Sequence, residues 1–73
     1  MRTKIRDYRK AAGLTQQQLA DAVGVSARTI ISIEKEQYNP SLMLAYRMAR
    51  LFGTSVEDLC LLEDNLRMDN EGE

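Results

Sequence analysis

Arg28, Ser32 and Lys35 share one face if residues 27–35 are helical, because successive residues are then ~100° apart. Their chemistry is recognition. Arg28 carries a planar fork of N–H donors that matches O6 and N7 of guanine. Ala27 and Ser32 are small enough to let that face come close to a base edge. Helix starts at Thr15–Gln16 and at Ser26 leave backbone N–H groups free to hold phosphates. Bond-making chemistry has little to work with. The chain has no histidine to serve as a base, no glycine-rich phosphate loop and no clustered carboxylates at catalytic spacing. One cysteine, Cys60, cannot build a zinc site. Neither metal nor cofactor is expected, and an enzyme is not.

These residues need short helices set close together, and the punctuation of the sequence marks five. Residues 2–12 form the first, stopped by Gly13 as a left-handed cap. Thr15 opens the second, with Gln18 three positions on at capping-box spacing. Leu19, Ala20 and Val23 supply its inner stripe, and Gly24 ends it. Ser26 caps the third, about 27–35, on which Ile30, Ile33 and Glu34 share a face. A loop through Asn39-Pro40 follows. Ser41 caps the fourth, whose core stripe is Leu42, Ala45, Met48, Ala49 and Phe52, with Gly53 as its stop. Ser55 caps the fifth, which carries the wholly apolar Leu59-Cys60-Leu61-Leu62. No strand signal is present. The fold expected is all-α, with residues 1–62 as one domain, a helix-turn-helix at about 15–35, and 63–73 as an acidic, disordered tail.

Composition bounds the setting. With 73 residues, 44% hydrophobic and 29% charged, the chain is one small domain with a modest core. The net charge of −1 conceals an asymmetry. Residues 1–62 carry nine Lys/Arg against six Asp/Glu, whereas 63–73 carry five Asp/Glu against Arg67 alone. A mildly basic body suits nucleic acid as partner only weakly, and on composition alone a solvated surface is the simpler account of such charge. The lone cysteine suits a reducing compartment. No apolar run spans a bilayer and the N-terminus is no signal peptide, so a cytoplasmic protein with no membrane partner is expected.

The stretch from Leu14 to Glu34, "LTQQQLADAVGVSARTIISIE", followed by "YNPSLMLAYRMARLFGTSVEDL", resembles the Cro-type phage repressor family of helix-turn-helix proteins, also called the xenobiotic-response-element family. The likeness runs from about Arg2 to Leu62, and it is to the minimal, single-domain members. It implies a five-helix, lambda-repressor-like fold and a sequence-specific transcriptional regulator, a repressor, with residues 27–35 in the major groove of double-stranded DNA. The resemblance places Ala27, Arg28 and Ser32 at base-facing positions. It places Gln16 and Thr29 at the DNA backbone, together with the loop residues Lys35, Tyr38 and Asn39. Thr15 and Ser26 join that backbone set through their helix starts. Arg9 and Glu34 match a pair that joins the first helix to the third. Ile31 stands where the family favours a polar residue, and it either meets a thymine methyl or is merely tolerated. Lys35-Glu36 replaces the frequent Asn-Gly, and Glu36 would repel phosphate.

One recognition helix covers few base pairs, so a homodimer on a palindromic operator is expected. If the fifth helix turns Val56, Leu59 and Leu62 inward, Cys60 and Leu61 stay uncovered. They form the expected dimer contact, with Leu66 extending it and Met68 beyond. The competing arrangement folds the tail back over Cys60 and Leu61 in a monomer. Two other functions remain open: a DNA-binding antitoxin whose C-terminal segment covers a toxin or other small protein partner, and a helical interaction module that does not bind DNA.

Overall fold

Thr15 fixes the start of its helix by a reciprocal exchange: its hydroxyl accepts from the Gln18 N–H at 3.0 Å, and the Gln18 side chain accepts from the Thr15 N–H at 2.9 Å. The computed structural model describes the backbone of residues 1–71 and the side chains of residues 1–67. In chain order it contains α1 (Ile5–Ala11), α2 (Gln16–Val23), α3 (Ala27–Glu34), α4 (Leu42–Phe52), α5 (Val56–Leu59) and α6 (Leu62–Glu71). The fold is all-helical as expected, and no strand occurs among the described residues.

Ser26, Ser41 and Ser55 cap α3, α4 and α5 by accepting from the backbone N–H three positions on. Gly24 takes φ 80° between α2 and α3. A Cβ built there would meet nothing nearer than an Arg47 guanidinium nitrogen at 3.9 Å. Conformation rather than space therefore requires glycine at this turn.

One core joins α1 to α5. Ile5, Leu19, Ile30, Ile33, Met48 and Leu59 are wholly buried in it. Each inner stripe of α2 and α3 lies where helical periodicity puts it. Tyr8 and Phe52 stack at its edge, with ring centroids 5.6 Å apart. The Tyr8 hydroxyl reaches Asp58 at 2.6 Å and Thr54 at 3.1 Å, and the Lys4 ammonium meets Asp58 at 3.3 Å, which ties α1 to α5.

Four expectations change. The first helix starts at Ile5, not at residue 2, because the Lys4 N–H donates to the Leu59 carbonyl at 2.7 Å and the preceding segment lies along the end of α5. Leu42 is 75% exposed, and Leu44, two positions on, joins the core instead, so the stripe of α4 begins with Leu44 and Ala45. Cys60 does not stand outside the domain. It is 1% exposed and belongs to the core, because α5 ends at Leu59 and Leu61 turns the chain with φ 49°. Burial pushes its thiol pKa up.

The fourth change is that the segment from residue 63, expected to be disordered, continues as α6 as far as Glu71; residues 72–73 of the expected tail lie outside the described residues. Asn65 docks that helix. Its side-chain N–H groups are shared among the carbonyls of Cys60, Leu61 and Arg2, at 2.6, 3.0 and 2.8 Å. Its side-chain oxygen accepts from the Arg2 N–H at 3.0 Å. The Cys60 carbonyl, freed where α5 stops, thus finds a donor.

Candidate nucleic-acid interface

Glu34, at the last turn of α3, organises the site. Arg9 of α1 donates to it twice, from Nε to Oε2 at 2.7 Å and from Nη2 to Oε1 at 3.1 Å. The third arm of the guanidinium, Nη1, donates to the Leu14 carbonyl at 2.9 Å. The Arg9 and Glu34 side chains are 11% and 5% exposed. Gln16, first in α2, donates from Nε2 to Glu34 Oε1 at 3.3 Å. One carboxylate therefore gathers α1, the start of α2 and the end of α3. Ile30 and Ile33 lock the adjacent face into the core.

Fixing those faces leaves the opposite one free. Arg28 is exposed and makes no ion pair among the described residues. Ile31 and Ser32 are half-buried beside it. Ala27 is also half-buried and packs against the core, so it offers this face little more than its small size. Thr15 and Ser26 are exposed at the starts of α2 and α3, and Gln16 is half-buried between Thr15 and Glu34. The Thr29 hydroxyl lies 3.1 Å from that of Ser26, in the first turn of α3. Lys35, Tyr38 and Asn39 are exposed on the loop that follows. The structure thus groups the expected base-facing residues on α3, with the expected backbone-facing residues at the two helix starts and the loop.

The basic N-terminal residues contribute less to this face than their number suggests. Arg9 is bound to Glu34 and Lys4 to Asp58, at opposite ends of α1. Among the dimer-contact candidates Cys60 is buried, Leu61 is half-buried and Leu66 is 61% exposed, while the side chain of Met68 lies outside the described residues.

The sequence reading weighed Glu36 only as a charge and missed its backbone. Glu36 has φ 63° and closes α3. Its N–H donates to the Ile33 carbonyl at 3.0 Å, and the Gln37 N–H donates to the Ser32 carbonyl at 2.9 Å. This is the terminating turn that glycine makes without strain. The signal was in the sequence: Lys35-Glu36 occupies the place of Asn-Gly.

The family model for "Helix-turn-helix" matches residues 5–59. An uncharacterised HTH-type transcriptional regulator of Archaeoglobus fulgidus is 52% identical over 64 residues, which cover 88% of this chain and 91% of that one. A competence pilus inhibition repressor of Acinetobacter baylyi is 43% identical over 70 residues, covering 93% of this chain and 60% of the repressor. Among solved structures, a hypothetical transcription factor from Neisseria, NHTF, superposes with a TM-score of 0.71 at 24% identity, over 89% of this chain and 76% of that one. That last likeness speaks to the fold alone.

Proposed function

The chain belongs to the helix-turn-helix family, and from that premise we propose that it is a sequence-specific, DNA-binding transcriptional regulator that acts as a repressor in the cytoplasm. It binds a palindromic operator as a homodimer, with α3 of each subunit in the major groove. The observation that carries this reading is the division of α3 into two faces. One is fixed by Glu34, Ile30 and Ile33, and the other presents Arg28 unpaired beside Ile31 and Ser32.

The mechanism follows from that division. Arg28 donates from both arms of its fork to one guanine, and Ile31 and Ser32 offer a methyl contact and a hydroxyl to neighbouring bases. The N-termini of α2 and α3, at Thr15–Gln16 and Ser26–Thr29, hold phosphates and set the register without reading sequence. Lys35, Tyr38 and Asn39 continue the backbone contact. Repression then needs only occupancy of a site that the transcription machinery must use. The repressor name of the Acinetobacter baylyi relative supports that direction of control.

Selection of bound sequences from random duplex DNA is the test. The expected product is a two-fold site with half-site centres ~34 Å apart, bound more weakly as salt rises. Failure to enrich any sequence would overturn the proposal.

A further inference from the structure

The face of α4 opposite its buried stripe is apolar at one end and basic at the other. Leu42, Met43 and Tyr46 are 75%, 58% and 48% exposed, and the Arg50 guanidinium lies 5.9 Å from the centre of the Tyr46 ring. Helical periodicity puts these four residues within ~100° of one another. On α6, Leu62 and Leu66 are 37% and 61% exposed and one turn apart, so they lie on one face, with the exposed Glu63 on its flank. The described helix α4 carries Arg47 and Arg50 with no acid, whereas α6 carries Glu63, Asp64, Asp69 and Glu71 against Arg67. One helix is apolar and basic; the other is apolar and acidic.

Within one chain these faces do not cover each other, since their leucines, Met43 and Tyr46 all remain exposed. We infer that α6 of one subunit docks antiparallel on the exposed face of α4 of a second copy of this chain, and that the second copy returns the same contact. The inference rests on the homodimer reading above and names the surface that makes the dimer. The antiparallel sense sets Leu66 against Met43 and Tyr46, and Glu63 beside Arg50. Two leucines on α6 meeting their own copies would fall far short of the ~800 Å² that each partner of a stable interface loses. Adding the α4 face to both sides brings Leu42, Met43 and Tyr46 of each subunit into the buried surface. The two-fold exchange makes each subunit both donor and acceptor of the helix, so the contact closes at two copies. Leu42 follows Asn39 by three residues, which puts the contact at the border of the loop expected on the DNA backbone.

Sedimentation equilibrium on the full chain without DNA tests the exchange, with far-UV circular dichroism as the check on folding. Arg50→Glu alone and Glu63→Arg alone should each weaken dimerisation ~10-fold or more through like-charge contact. The double variant should restore it to within ~3-fold of wild type, since the two effects are coupled. Leu66→Glu should give a folded monomer. A wild-type dimer that all three single substitutions leave intact would overturn the exchange and leave the homodimer standing. A wild-type chain that stays monomeric, alone and with a palindromic duplex, would overturn both.

Discussion

Arg9 and Glu34, 25 positions apart, meet through two hydrogen bonds of 2.7 and 3.1 Å, and the same carboxylate accepts from Gln16. Both side chains are largely covered, so removing Arg9 leaves the Glu34 carboxylate with Gln16 as its remaining side-chain donor. Arg9→Ala should cost about 3 kcal/mol of stability. A double-mutant cycle with Glu34→Gln should return a coupling of ~1–3 kcal/mol. Additive effects would mean that the pair is geometry without energy.

Arg28 and Gln16 should fail differently. Arg28→Ala should weaken the preferred duplex by ~1–3 kcal/mol and relax discrimination at one base pair. Gln16→Ala should weaken all duplexes alike, because a phosphate contact carries no sequence. Binding to a panel of single-base operator variants separates the two. An Arg28→Ala protein with unaltered preference would move the reading head elsewhere on α3.

Glu36→Gly should raise stability, measured by urea denaturation. A non-glycine residue in the left-handed region costs ~1–2 kcal/mol, and glycine's greater freedom in the unfolded chain returns ~0.4–1 kcal/mol of that. The same substitution removes a negative charge from the loop beside the expected phosphate contacts. Affinity for every duplex should therefore rise, most at low salt.

Asp58 sets an acid limit. The Tyr8 hydroxyl, and after it the Lys4 ammonium, hold its carboxyl below the ordinary carboxylate value. A lowered folded-state pKa stabilises the protein above the ordinary value, and that contribution disappears as pH falls through the folded-state value. Tyr8→Phe should therefore lower stability at neutral pH and flatten its loss in the window below the ordinary carboxylate value, so that the two proteins converge at low pH. Urea midpoints across that window measure it. Identical acid limbs in the two proteins would show that Asp58 does not contribute.

Cys60→Ser should lower stability by ~1–3 kcal/mol by burying a hydroxyl where a thiol packs. It should leave the subunit affinity unchanged, since Cys60 lies in the core. A thiol reagent should react only as fast as the protein opens.

The starts of α2, α3, α4 and α5 were legible because each is a local event: Thr15, Ser26, Ser41 and Ser55 all cap where their residue types predict. The buried faces of α2 and α3 followed from periodicity for the same reason. What was not legible depends on distant partners. Nothing local distinguishes Leu42 from Leu44 as the buried leucine of α4, because the choice depends on which neighbouring helices reach the first turn. Nothing local ends a helix inside Leu59-Cys60-Leu61-Leu62, because the stop depends on a leucine in a left-handed conformation and on Asn65 donating to the freed Cys60 carbonyl. The Arg9–Glu34 pair came from family likeness; charge and spacing alone would have left two surface residues.

Asn65 joins its amide to both backbone polar groups of Arg2 across 63 intervening steps of chain. Most of that span is already closed where Lys4 and Tyr8 meet Leu59 and Asp58, so the clasp orders only the two chain ends, and few bonds hold them. Among the described residues none from α6 belongs to the core, so the body can assemble before this clasp closes. The clasp should accordingly be the last part to form and the first to open. Amide protons of α6 should exchange through a local opening well below the global unfolding free energy, while those of α3 wait for the whole domain. The helix offered to the second subunit is then the one held least firmly by its own.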